Sequence, residues 1–96
     1  MYTRVTTGRY DSVRIEEVQA LFTTAVMTAT QRLPGFKSYN AALDRKGNRI
    51  VAISTWETEE QAHGFRDQLG ADLIQQMQDA GLELNETQIF ETIAQA

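Results

Sequence analysis

The chain has 96 residues and no cysteine, and it has one histidine and one proline. The absence of cysteine excludes a disulfide scaffold, a thiolate metal site, an iron–sulfur cluster and a cysteine nucleophile. A single histidine, His63, excludes any site that needs two imidazoles. The net charge of −4 argues against a nucleic-acid module, because contacts to phosphates need clustered lysine and arginine.

Long apolar runs are also missing. Nowhere do 18 apolar residues follow one another, and the N-terminal stretch MYTRVTTGRY lacks the apolar run of a signal peptide. We therefore expect a cytoplasmic protein with no membrane contact. Hydrophobic residues make up 42% of the chain and charged residues 23%, which is ordinary for a globular protein. The length predicts one domain over residues 1–96.

The first half of the chain predicts a strand, a long helix and a turn. Residues Tyr2 to Tyr10 are rich in Thr, Val and Tyr, which favour a strand. Asp11 or Ser12 can cap the helix that follows. Pro34-Gly35 ends it, because proline disfavours helical geometry in the residue before it. The predicted apolar stripe of this helix consists of Ile15, Val18, Phe22, Ala25, Ala29 and Leu33, and it is widened by Leu21 and Val26.

The second half predicts a hairpin, a second helix and a last strand. The hairpin strands are Phe36 to Leu43 and Ile50 to Trp56, joined by a polar turn that contains glycine and asparagine. Thr58-Glu59-Glu60-Gln61 is typical of a capping box at the start of a helix. We expect Gly70 to kink or split that helix and Gly81 to end it. The last predicted strand is Glu86 to Ile93.

The element order β-α-β-β-α-β predicts an α+β protein of the ferredoxin-like class. Its four-stranded antiparallel sheet would carry two helices on one face, which leaves the other face without cover. The strand from Ile50 to Trp56 is apolar on both sides, and such a strand needs cover on both sides. We therefore expect a homodimer in which two sheets pack face to face.

Two local patterns resemble a known family. Leu33-Pro-Gly-Phe36 closes the first helix, and Ser54-Thr-Trp-Glu-Thr-Glu-Glu-Gln-Ala62 runs from a strand into a capped helix. With the length and element order, they make the chain similar to antibiotic biosynthesis monooxygenase domains, which are dimeric α+β barrels. The resemblance implies a pocket between each sheet and its own helices.

The resemblance also implies a type of chemistry. Some members of that family are monooxygenases that use no cofactor and act on small aromatic or quinol-like compounds. Their substrate's electron-rich anion reduces oxygen directly, while the protein supplies a dry pocket, a base and hydrogen bonds. The resemblance therefore implies no bound metal and no cofactor for this chain. The haem-degrading members of the family have an Asn on the first strand, a Trp at the end of the third strand and a His about ten residues after that Trp. This chain has the Trp as Trp56, but it has no Asn on the first strand and has Arg66 where the His would be. The resemblance therefore does not extend to haem degradation. The alternative is a binding protein or structural dimer of the same fold without catalysis.

Two residues are candidates for the chemistry itself. Trp56 would stack on an aromatic substrate and donate its N–H, or it packs in the core beside Phe65. His63 is the side chain whose usual pKa suits proton transfer near neutral pH, and Asp67 could orient it. The other interpretation of His63 is a solvated surface residue paired with Asp67.

Three further residues are candidates for substrate binding. Arg66 could hold an anionic oxygen, or it lays its stem along the core with its charge in water. Tyr39 and Asn40 point to opposite faces of a strand, so at most one of them can face the pocket. Tyr39 would either donate to a substrate oxygen or fill the dimer interface, and the sequence does not decide between them.

Overall fold

A computed structural model describes residues 1–96 and confirms the predicted α+β fold. The strands are β1 (Tyr2–Arg9), β2 (Phe36–Asp44), β3 (Arg49–Trp56) and β4 (Glu83–Glu91). They form one antiparallel sheet in the order β2-β3-β1-β4, as the ferredoxin-like pattern predicts. Compared with the prediction, β4 begins three residues earlier and ends two residues earlier.

The first helical segment, residues 12–31, contains more than one kind of helix. A 3-10 turn (Ser12–Arg14) leads into α1 (Ile15–Leu21), a π turn (Phe22–Val26) and α2 (Met27–Gln31). At the π turn the hydroxyls of Thr23 and Thr24 donate to the carbonyl oxygens of Gln19 and Ala20 at 2.9 and 2.5 Å. Such bonds compete with the regular ladder and bend helices.

The π turn moves the buried stripe of this segment by one residue. Val18, Phe22 and Val26 are buried as predicted, but Thr30 is buried after the π turn, whereas Ala25 and Ala29 are only partly buried. A π turn is wider than an α-helical turn, so the buried positions that follow it move by one residue along the sequence. A regular 3.6-residue pattern does not predict this shift.

The second helical region is two helices, so the expectation of two helices in all is corrected. α3 (Glu59–Gln68) begins with the predicted capping box of Thr58 and Gln61. α4 (Ala71–Asp79) begins after Gly70, whose φ of 91° lies in the left-handed region that favours glycine. Gly70 therefore splits the helix, as predicted. None of the helices is long and apolar enough to cross a bilayer.

All of the helices pack on the same face of the sheet, which we call the inner face. At one end, Ile50 of β3 packs in a core cluster with residues of α1, the π turn and α4. At the other end, Trp56 of the same strand packs with Ala62 and Phe65 of α3. A cavity remains open between these two clusters.

The opposite face, here the outer face, is crossed at one end by residues 92–96, the C-terminal tail. The hydroxyls of Thr92 and Thr3 lie 2.6 Å apart, and Gln95 Nε2 donates to Ser38 Oγ at 3.1 Å. Thr3, Thr55 and Ser38 are register partners across β1, β3 and β2. The tail therefore passes over Thr55, which is only 5% exposed although it points away from the helices.

Candidate functional site

A cavity of about 440 Å³ lies between the inner face and the helices. Its volume falls in the usual range of small-molecule pockets. Ten of its 17 lining residues are hydrophobic, and they come from the π turn, α3, α4, the sheet and the segment before β4. The apolar wall includes Phe22, Val26, Phe65, Leu69, Ile74, Met77, Leu82 and Leu84, and the polar lining includes Arg4, Thr6, Tyr39, Arg66, Gln78, Glu83, Asn85 and Thr87.

Arg4 brings a charge to the floor of this cavity. It lies on β1, is 8% exposed, and its Nη1 donates to the carbonyl oxygens of Ala62 and His63 at 2.8 and 3.3 Å. Its guanidinium carbon lies 5.4 Å from the centre of the Phe65 ring, within the range of a cation–π interaction. Arg4 thus ties α3 to the sheet while it lines the cavity.

The electrostatic surroundings of Arg4 are mainly unfavourable to its charge. Burial lowers the pKa of the Arg4 guanidinium, and the like charge of Arg66 lowers it further, whereas Asp67 and Tyr39 raise it. Neither Asp67 nor any other carboxylate forms an ion pair with Arg4. The residue remains cationic because an arginine pKa is too high for neutralisation at ordinary pH.

Tyr39 places a hydroxyl in the same cavity. Its ring stacks on Phe65 with the centres 6.1 Å apart and the planes inclined by 29°. Burial raises the pKa of Tyr39 above its ordinary value, and the charge of Arg4 opposes this shift. The hydroxyl is therefore protonated at neutral pH and can donate a hydrogen bond. No protein group accepts from it.

The structure brings Tyr39 and Arg66 to the cavity and places Asn40 elsewhere. Arg66, on α3, is an exposed residue that contributes to the lining. Tyr39 and Asn40 do point to opposite faces, as the alternation of a strand requires. Asn40 is exposed on the outer face opposite Ile53.

Trp56 does not line the cavity, although it is close to it. It is 1% exposed and packs against Phe65, with ring centres 5.0 Å apart, and against Phe36 at 6.0 Å. Its indole N–H donates to Ser54 Oγ at 2.8 Å, so this donor is satisfied within the protein. Phe65 separates Trp56 from the space in which a ligand would lie.

His63 lies outside the cavity. Its side chain is 65% exposed, and its Nε2 is 4.0 Å from Glu59 Oε1, one turn before it on α3 rather than one turn after it at Asp67. Only its backbone oxygen takes part in the site, as an acceptor from Arg4. No three His, Asp or Glu side chains are grouped as metal ligands.

Arg4 is the site residue that our sequence analysis did not identify. The signal was present, because Tyr2, Arg4, Thr6 and Gly8 share one face of β1 by alternation. A charged residue in the inward series of a half-buried strand is unusual, and buried charges are normally paired or functional.

Comparison with known proteins agrees with the predicted fold. An antibiotic biosynthesis monooxygenase of known structure superposes with a TM-score of 0.72 and 14% identity, covering 98% of this chain and 100% of the other. SnoaB from Streptomyces nogalater, a cofactor-independent oxygenase, superposes with a TM-score of 0.69 and 21% identity over 98% of this chain and 94% of its own. Rv0793 from Mycobacterium tuberculosis gives 0.70 and 11% identity over 99% and 97%.

These similarities show that the chain has the fold of the antibiotic biosynthesis monooxygenase domain, as the resemblance in the sequence implied. No family model matches the sequence. In sequence, the chain is 35% identical over 69 residues to the uncharacterized protein Rv2557 of Mycobacterium tuberculosis. The match covers 72% of this chain but only 31% of that protein, so the chain corresponds to about a third of its relative.

Proposed function

We propose that the chain is a monooxygenase of small aromatic or quinol-like compounds that needs no cofactor, and that the cavity is its substrate site. The observation that carries this proposal is the apolar cavity with two directed donors, Arg4 and Tyr39. The fold that it shares with SnoaB, itself a cofactor-independent oxygenase, supports the same chemistry. Trp56 serves in this proposal as the support of Phe65 and not as a ligand contact.

In the reaction proposed for an anthrone-like compound, a ring CH₂ group, once deprotonated, transfers electrons to dioxygen. One oxygen atom ends on the ring carbon as a carbonyl, and the other leaves as water with the two hydrogens of the CH₂ group. The protein excludes water and donates hydrogen bonds from Tyr39 and Arg4 to the ring oxygen on which charge develops. We do not assign His63 as the base, because its side chain lies outside the cavity.

Oxygen uptake with a panel of naphthoquinols and anthrone-like phenols tests this proposal. We expect uptake above the rate of autoxidation, with saturation in substrate, and loss of uptake in Ala52→Phe, which fills the cavity from β3. The matched control is Ala20→Phe, an exposed position on α1. His63→Ala should retain uptake. Saturable binding of the panel without uptake would instead support the alternative, a non-catalytic binding protein.

We also propose that the chain forms a homodimer through the outer face. This face exposes Ile53 and Phe90, and Ile93 of the C-terminal tail is 93% exposed. Exposed apolar side chains of this kind mark interaction surfaces, and a second copy presents the same surface. Sedimentation velocity should show a dimer that Ile53→Asp converts to a monomer. Val13→Asp, at a position 89% exposed in the 3-10 turn, should leave the dimer intact.

A further inference from the structure

The cavity wall carries positive charge that no carboxylate neutralises. Arg4 and Arg66 both line the cavity, and neither forms an ion pair. The ion pairs of the chain lie elsewhere, at Arg14–Glu17 and Lys37–Glu57, and the 4.0 Å contact of His63 with Glu59 also involves no lining residue. Glu83 is the one acidic residue in the lining, and it is exposed at the start of β4.

Part of the hydrogen-bonding capacity of Arg4 is directed into the cavity. Its Nη1 is used by two backbone oxygens of α3, but its Nε and Nη2 have no acceptor. No buried polar side-chain atom of the chain is both sealed from solvent and without a partner. Since Arg4 is almost wholly buried and lines the cavity, we infer that these N–H groups face it.

The Tyr39 hydroxyl also lacks an acceptor in the protein, and it is not sealed from solvent. Arginine donates but never accepts, and a protonated tyrosine that lacks an acceptor offers a donor. Both flank the Phe65 ring, Arg4 over its face at 5.4 Å and Tyr39 stacked at 6.1 Å. The site therefore combines the aromatic ring of Phe65 with donors that have no protein acceptor, namely the Tyr39 hydroxyl and the Nε–H and Nη2–H groups of Arg4.

A ligand that displaces water from the cavity must replace the hydrogen bonds that water makes to Arg4 and Tyr39. A neutral compound would leave the guanidinium desolvated without an opposite charge, which is costly in an apolar site. An anionic oxygen would accept from the free N–H groups of Arg4 in the planar geometry that guanidinium favours. The apolar wall accommodates the remainder of such a ligand.

We propose that the cavity selects planar apolar ligands that carry a carboxylate or phenolate oxygen, with Arg4 as the residue that holds this oxygen and Tyr39 as a second donor. This inference rests on the proposal that the cavity is the ligand site. Beyond that proposal, it states that the charge of the ligand determines which compounds bind, and that Arg4 is the residue that recognises this charge.

Calorimetric titration with 2-naphthoate and 2-naphthamide at neutral pH tests the inference, because the two compounds share a shape and differ in charge. We expect 2-naphthoate to bind about tenfold more tightly or better, from the usual strength of a hydrogen bond to a charged group. Arg4→Met keeps an apolar stem without the charge and should abolish the preference. Arg32→Met, an exposed arginine at the end of α2 that is not in the lining, should leave it unchanged.

Because Arg4 also holds α3, a measurement on the unaltered protein accompanies the variant. The Nε–H resonance of Arg4, assigned through its side-chain carbons, should shift on titration with 2-naphthoate and stay in place with 2-naphthamide. The inference is overturned if both compounds bind equally, if neither binds, if folded Arg4→Met keeps the preference, or if the Arg4 resonance does not respond.

These outcomes are separate from those of the oxygenase proposal. Selective binding of 2-naphthoate without oxygen uptake on any quinol would retain the anion site and refute the oxygenase. Oxygen uptake on a quinol, together with equal binding of 2-naphthoate and 2-naphthamide, would support the oxygenase and refute the anion site.

Discussion

Two glycine-to-alanine substitutions should change stability in opposite directions. Gly8 lies on β1 where the register with β4 shifts, between the pairs Thr7–Glu86 and Gly8–Leu84. A Cβ at Gly8 would overlap the carbonyl oxygen of Glu83 and lie 2.8 Å from the Cα of Leu84. Both atoms belong to the backbone of β4, so the strand itself would have to move.

The magnitude follows from this geometry. Carbon atoms in contact prefer about 3.5–4.0 Å, so β4 would have to shift by about 1 Å. Overpacking of this kind costs about 1–3 kcal/mol, and a chain of this size loses about 4–8 °C in Tm for each kcal/mol. Gly8→Ala should therefore lower Tm by about 4–24 °C.

Gly64 is the matched control. It lies inside α3, and a Cβ there would meet nothing within 4 Å. Because alanine is the better helix former, Gly64→Ala should stabilise the protein by about 0.5–1 kcal/mol.

Thermal unfolding and urea unfolding of both variants, at several protein concentrations, measure these effects. The concentration series separates folding from association, since a dimer gains stability with concentration. The reasoning is refuted if Gly8→Ala unfolds at or above the Tm of the unaltered protein, or if Gly64→Ala is destabilised.

Three further effects are expected. Thr58→Ala removes the cap that accepts from the Gln61 N–H and should cost about 1 kcal/mol in urea unfolding, and a change below the error would contradict the capping box. Gly70→Ala should cost about 1–3 kcal/mol from the backbone conformation alone, since φ is 91° with ψ at 149° and no atom obstructs the new Cβ; an unchanged unfolding midpoint would argue against this. The hydrogen bond and charge of Lys37 lower the pKa of Glu57. The Lys37–Glu57 pair therefore stabilises the folded protein above the unfolded-state pKa of Glu57, and this contribution is lost as pH falls through the folded-state pKa. Glu57→Gln should lower Tm slightly near neutral pH and not in acid, and equal Tm values at every pH would exclude a role for the pair.

The element order and the helix boundaries could be predicted because they depend on local signals. The capping box at Thr58 and the break at Gly70 are determined by residues that are neighbours in the sequence. The shifts in strand register could not be predicted in this way. Strict alternation along β2 would put Phe36 and Ser38 on one face, but a register shift between them places Phe36 inside against Trp56 and Ser38 outside. A bulge depends on how two strands pair, and this is a non-local property.

The candidate site could be predicted only in part for the same reason. The placement of Tyr39 and Asn40 on opposite faces follows from alternation, but which of them faces the cavity depends on the register of the hairpin. The sequence leaves two interpretations of Arg66 open, an anion contact or a stem along the core, and the structure adds it to the cavity lining. Arg4 acts through oxygens of α3, whose approach to β1 depends on the tertiary packing.

The C-terminal tail limits the ways in which two outer faces can meet. Because it crosses the sheet at the end marked by Thr3, Thr55 and Ser38, it makes one end of that face thicker than the other. A two-fold axis parallel to the strands would bring the two thick ends against each other. An axis perpendicular to the strands within the plane of contact would instead set each tail against the open end of the other copy. A five-residue segment with no helix or strand of its own thus favours one symmetry of assembly over the other.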